Sequence, residues 1–134
     1  MIHVDTSFLV DLLREGARAE GGPATTFLHG LAGEELRAGV HVVCELLAGA
    51  ELARRPSKER ERVQRLCAGL DIVYPGERFP SVYGRLLAAQ QRAGRQVSTM
   101  DLLIATAAVV DEAPLATRNA KDFRRIIGLE VLTY

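Results

Sequence analysis

The sequence contains no tryptophan, and aromatic residues make up only 5% of it. Nucleic-acid binding carried mainly by stacked bases is therefore not expected. Cysteine is scarce too. Cys44 and Cys67 are the only two, and no CxxC pair is present, which excludes a zinc ribbon or a disulfide framework. Their apolar neighbours, Val42, Val43 and Leu66, lead us to expect two buried free thiols. There is no excess of one charge: 17 Lys+Arg balance 17 Asp+Glu. That excludes attraction to nucleic acid by bulk charge and leaves open a local basic patch. No long hydrophobic run occurs. The longest, Leu102 to Val110, falls far short of the roughly 20 residues that span a bilayer. Met1-Ile2-His3-Val4-Asp5 has no basic n-region, so a signal peptide is not expected, and a soluble cytoplasmic chain is. GxxxxGK and GxGxxG are both missing, so nothing supports a phosphate-binding loop.

The 134 residues are 48% hydrophobic and 25% charged, an ordinary globular composition and one domain's worth, taken as 1–134. Apolar spacing and breakers divide the chain as follows. Short strands are expected at Ile2 to Val4, Gly39 to Val43, Asp71 to Tyr74, Pro114 to Thr117 and Leu129 to Leu132. Helices are expected from a cap at Thr6 or Ser7 through Leu13, then over Thr26 to Arg37, Glu45 to Arg55, from Pro56 through Leu70, Phe79 to Ala93, Ser98 to Val110 and Lys121 to Ile127. Strands alternating with helices predict an α/β fold with a central, mostly parallel sheet covered by helices on both faces.

Three carboxylates stand in otherwise apolar company: Asp5 after Ile2 and Val4, Glu45 between Cys44 and Leu46, and Asp101 ahead of Leu102-Leu103-Ile104-Ala105. An unpartnered buried carboxylate costs several kcal/mol, so such positions need a reason. Asp5 and Glu45 fall at expected strand-to-helix transitions, the edge where parallel sheets bind ligands. Converging carboxylates raise one another's pKa unless a cation lies between them, and no lysine adjoins any of the three. All-oxygen donors suit Mg²⁺, with Mn²⁺ as a substitute, rather than zinc. Each acid also has a plainer reading. Asp5 caps the first helix, Glu45 is a first-turn acid favoured by the helix dipole, and Asp101 closes the capping box Ser98-Thr99-Met100-Asp101. The histidines, His3 and His41 in strands and His29 in a helix, are read as structural.

Four segments in register resemble the PIN-domain ribonucleases, and more narrowly the VapC toxins of bacterial toxin–antitoxin modules. They are Ile2-His3-Val4-Asp5-Thr6-Ser7, Val42-Val43-Cys44-Glu45-Leu46-Leu47-Ala48-Gly49, Met100-Asp101-Leu102-Leu103-Ile104-Ala105, and Ala116-Thr117-Arg118-Asn119-Ala120-Lys121-Asp122-Phe123. The match runs along the whole chain, with the segments in the right order and at the right spacing. The resemblance implies a PIN-like three-layer α/β/α fold and an acidic metal site of Asp5, Glu45 and Asp101. Asp122 or Asn119 would complete that site, with Thr6 and Thr117 supporting and Thr117 orienting a water. It also implies an antitoxin whose peptide blocks the acidic groove, and a homodimer.

The expected reaction is Mg²⁺-dependent hydrolysis of RNA by metal-activated water, leaving 5′-phosphate and 3′-hydroxyl ends. Arg118, Lys121 and Arg124 beside the site, and the basic run Arg54 to Arg65, are candidate phosphate contacts. For the second group a solvated helix face of alternating charge is an equal alternative. A phosphatase or DNA nuclease using the same carboxylates, and a non-catalytic binding module in which the acids are caps, are the competing functions.

Overall fold

The computed structural model describes all residues from Met1 to Tyr134. Five short strands, β1 (Ile2–Val4), β2 (Leu36–Gly39), β3 (Asp71–Val73), β4 (Leu115–Ala116) and β5 (Val131–Leu132), form one sheet in the order β3-β2-β1-β4-β5. Every neighbouring pair is parallel. Seven helices flank it: α1 (Thr6–Glu15), α2 (Pro23–Gly30), α3 (Val40–Glu51), α4 (Pro56–Cys67), α5 (Phe79–Arg92), α6 (Thr99–Val110) and α7 (Ala120–Phe123). This is the α/β arrangement around a parallel sheet expected from the alternation of elements, and it agrees with the layered fold that the resemblance implies.

The strand order decides where a site can form. The chain builds outward from β1 to β2 and β3, then returns to place β4 on the other side of β1. The switch point therefore lies between β1 and β4, and ligands of such sheets bind outside the carboxyl ends of the strands there. Asp5 directly follows β1 and Thr117 directly follows β4.

The core is a single cluster drawn from the central strands and from α1, α3 and α6, including Val4, Phe8, Ala38, Val42, Leu102 and Leu115. Helix α6 buries Leu102, Ile104, Ala105, Thr106, Ala107 and Ala108. Residues all round its circumference are thus covered, which is why its sequence shows no polar face. Thr106, inside this helix, donates its hydroxyl to the Leu102 carbonyl at 2.6 Å, so no polar atom is left unsatisfied there.

The second quarter of the chain departs from the sequence expectation. The helix expected over Thr26 to Arg37 ends at Gly30, and Gly33 turns the chain with φ of 89°. The strand expected at Gly39 to Val43 is instead Leu36–Gly39, while Val40 to Val43 open α3. Leu-Arg-Ala-Gly has little intrinsic strand preference, but it is hydrogen-bonded between β1 and β3, and that pairing overrides propensity. The buried positions Val42, Leu46 and Ala50 recur every four residues, the helical period that the β-branched run obscured. Consequently Glu45 lies within α3 and not at a strand-to-helix junction, and it is not a first-turn acid. His41 lies in α3 as well, its ring stacked on Phe79 at 5.8 Å. The last expected helix contracts to Ala120–Phe123 and the last strand to Val131–Leu132. Both cysteines are free as expected, but neither is buried: Cys44 is exposed on α3 and Cys67 is half-buried at the end of α4.

Candidate functional site

Asp5 is the organising residue. It is 3% exposed, in extended backbone immediately after β1, and it caps α1. Its Oδ1 accepts the Phe8 amide at 2.9 Å and the Ser7 hydroxyl at 2.8 Å. Its Oδ2 accepts the Thr117 hydroxyl at 2.5 Å. The plain capping reading and the functional reading are thus both satisfied by one carboxylate. Thr117 is fully buried, and its hydroxyl is committed to Asp5, so it positions that carboxylate and does not orient a water. Ser7 ties the two strand ends together, because its hydroxyl also accepts the Arg118 amide at 3.1 Å.

Around Asp5 lies an open cavity of about 260 Å³ lined by Asp5, Thr6, Ser7, Val10, Glu45, Asp101, Ile104, Arg118 and Asn119. The three sequence-predicted acids therefore face one pocket. Glu45 reaches it from α3 and is held by the Thr6 hydroxyl, which donates to Oε1 at 2.5 Å. Asp101 reaches it from the first turn of α6, whose N-cap Ser98 accepts the Asp101 amide at 3.1 Å. Asn119 lines the pocket at the head of α7, its amide donating to Thr117 Oγ1. Asp122 does not line it. It is exposed on α7, close enough for its charge to act on Asp101.

The electrostatics agree with convergence. Burial pushes the Asp5 carboxyl above its ordinary value, its hydrogen bonds from Thr117, Phe8 and Ser7 pull it down, and the Asp101 charge adds to the rise. Burial likewise raises Asp101, with Ser98 opposing and the charges of Glu45 and Asp122 adding to it. The pocket is thus a cluster of mutually repelling carboxylates with no lysine among its lining residues.

No three His, Cys, Asp or Glu side chains sit close enough to form a ready-made coordination cage. The donor set nonetheless fits Mg²⁺. All the side-chain donors facing the pocket are oxygen apart from the Asn119 amide nitrogen and Arg118. A small, reluctantly dehydrated cation is typically held through one or two carboxylates with water filling the remaining positions. The residues that would hold it are Asp5, Asp101 and Glu45.

Among the cationic candidates, Arg118 stands at the pocket rim, its guanidinium donating to Asp11 Oδ1 at 2.6 Å. Asp11 in turn accepts the Tyr134 hydroxyl at 2.6 Å. Lys121 and Arg124 are exposed on and just after α7 and do not line the pocket. Sequence reasoning missed Ser7 and Asp11 as site residues. Ser7 was visible as a possible helix cap and as the last residue of the first motif, without a role of its own, and Asp11 makes its site contacts with residues more than a hundred positions away. His3 is structural as expected: it is buried in β1 with Nε2 2.7 Å from Asp111 Oδ2.

The PIN domain family model matches residues 2–129. The chain is 35% identical over 98 residues to Ribonuclease VapC1 of Rickettsia felis, covering 69% of this chain and 71% of that one. It is 28% identical over 88 residues to Ribonuclease VapC2 of the same organism, covering 66% of each, just under two thirds of that relative's length. Its fold superposes with a TM-score of 0.90, at 24% identity and covering 100% of this chain and 99% of the other, on a chain in a crystal structure of VapBC2 from Rickettsia felis bound to a DNA fragment from their promoter. The chain belongs to the PIN-domain family and, within it, to the VapC type. No helix is long and apolar enough to cross a membrane.

Proposed function

We propose that this protein is a Mg²⁺-dependent endoribonuclease, the toxin of a toxin–antitoxin pair. The observation that carries the reading is the single pocket at the sheet's switch point faced by Asp5, Glu45 and Asp101. Relatives called ribonucleases and a fold shared with a VapBC complex support the substrate class and an antitoxin partner. That partner would block the acidic groove, and the working unit would be a homodimer.

When bound, a divalent cation would supply charge neutralisation at the phosphoryl oxygens and acidify a water. The chain's own residues do the rest. Ser7, Thr117 and the Phe8 amide hold Asp5 in one orientation and oppose the rise that burial imposes on its carboxyl. Thr6 fixes Glu45 toward the same space. Arg118, steadied by Asp11, offers guanidinium hydrogens at the rim to a phosphate oxygen. No buried histidine or serine–histidine pair faces the pocket, so attack by water is the fitting chemistry. Water adds to phosphorus and the 3′-oxygen leaves, which gives 5′-phosphate and 3′-hydroxyl ends.

The test is RNA-end sequencing after brief induction, with Asp101→Asn as control. The Ser98 hydroxyl accepts the Asp101 amide, so the variant keeps that cap bond. The wild type should produce new 5′-phosphate ends and the variant none. Products ending in 2′,3′-cyclic phosphate, or cleavage undiminished in the variant, would overturn the proposal.

A further inference from the structure

The acidic pocket does not end at Glu45. Thr6, Val10 and Glu45 also line a second cavity of about 630 Å³ between α1, α3 and α4, which carries Arg14 and Arg18. That cavity shares Leu13, Ala17, Glu59 and Arg62 with a third, an open cleft of about 1070 Å³ at the far end of α1. The third is walled by Arg54, Arg55, Lys58 and Arg65 over a floor of Leu12, Leu13 and Leu66. One continuous groove thus runs from three carboxylates to a basic cleft.

The charges in this groove are free. Arg62 is the exception: it donates to Glu59 and to the Leu13 carbonyl at 2.7 Å, and so builds the wall. Glu59, the only acid of the far cleft, is occupied by that pair. Arg14, Arg18, Arg54, Arg55, Lys58 and Arg65 are exposed and make no salt bridge. In a chain of zero net charge this is a marked local concentration. An acidic pocket repels a polyanion, and its one rim cation, Arg118, is shared with Asp11. A polyanionic substrate therefore needs attraction from outside the pocket.

Resting on the ribonuclease reading, we infer that the α1–α4 cleft is a second binding site, one that grips the phosphodiester backbone of single-stranded RNA several nucleotides from the bond to be cut. The groove follows the length of α1, Thr6–Glu15, for roughly 14 Å at 1.5 Å per residue, more than a dinucleotide's single phosphodiester spans. The cleft sets length dependence and affinity. The acidic pocket does the chemistry.

The test compares the wild type with the exposed triple variant Arg54→Gln, Arg55→Gln, Lys58→Gln. Binding of a labelled 30-nucleotide RNA is followed by anisotropy in EDTA across a salt series. Three lost phosphate contacts make the slope of log affinity against log salt shallower by roughly 2, at about 0.7 per contact for a single strand. In Mg²⁺ the variant should show a raised KM on the long RNA and unchanged cleavage of a dinucleotide. An unchanged salt slope overturns the inference. So does a polyglutamate peptide that binds the wild type as tightly as RNA and is lost in the variant, because the cleft then belongs to an acidic protein segment. Because binding is read without turnover, a wild type that binds the RNA through the cleft but cleaves none would defeat the ribonuclease reading alone.

Discussion

Asp5 meets a conflict that recurs through the site: the carboxylate must be buried, charged and fixed at once. Ser7 and Thr117 resolve it by donating to both oxygens, and removing one of them should be costly. Ser7→Ala is expected to lower stability by about 1–3 kcal/mol, the cost of a buried charge losing a hydrogen bond, read as a lower urea midpoint with an unchanged slope. Asp101, like Asp5, is raised by burial. Its folded value lies above 3.8, so the folded state binds its proton more tightly than the unfolded chain does. Its contribution is most favourable at low pH and is lost as pH rises from 3.8 through the elevated folded value. At neutral pH without metal, Asp101→Asn should therefore melt no lower than the wild type while losing activity, which thermal melts in EDTA would check. Asp5 and Asp101 were legible in the sequence because acids in apolar runs are conspicuous. Ser7 was quoted in a motif yet unassigned, because its partners Thr117 and Arg118 lie 110 and 111 residues away and only the sheet brings them together.

At the scale of elements, the least legible region was the one with the weakest local signals. Strands β1 and β3 announced themselves by apolar or β-branched residues, and α6 by its apolar run, but β2 exists only because its two neighbours pair with it. Placing it three to four residues late moved Glu45 to a junction it does not occupy. The residue was right and the reason for its position was not. Helix α2 shows the same dependence on distant contacts. Its N-cap, Gly22, offers no side chain, and Glu15 from the end of α1 accepts the Ala24 and Thr25 amides instead, at 3.0 and 2.8 Å. Gly22 is required for that approach, since a Cβ there would lie 2.5 Å from Glu15 Cδ. Burial raises the Glu15 carboxyl, but the Thr25 and Ala24 amides bring it below 4.5. Its stabilising effect is thus present above 4.5 and is lost as pH falls through the lowered folded value. Glu15→Ala should unfold at lower urea than the wild type at pH 7, and the gap should close in melts at strongly acidic pH. In the core, Leu102→Ala should cost about 2–5 kcal/mol by leaving a cavity beneath α6.

Across the whole molecule, equal numbers of acids and bases conceal a strong segregation. Carboxylates gather at the switch point between β1 and β4, and unpaired arginines gather along the groove leading away from it. Composition alone could exclude only a uniformly basic surface. The fold brings residues 5, 45 and 101 to one pocket, where a bound cation would relieve their mutual repulsion. Mn²⁺ at a hundred times its dissociation constant should stabilise the wild type by about 2.7 kcal/mol, seen as a concentration-dependent rise in Tm that Asp101→Asn loses. The most direct measurement is an anomalous difference map from crystals grown with manganese. A peak bounded by the Asp5, Glu45 and Asp101 carboxylates is the expected result. A pocket without a peak, or manganese bound only elsewhere, would contradict a cation-centred site.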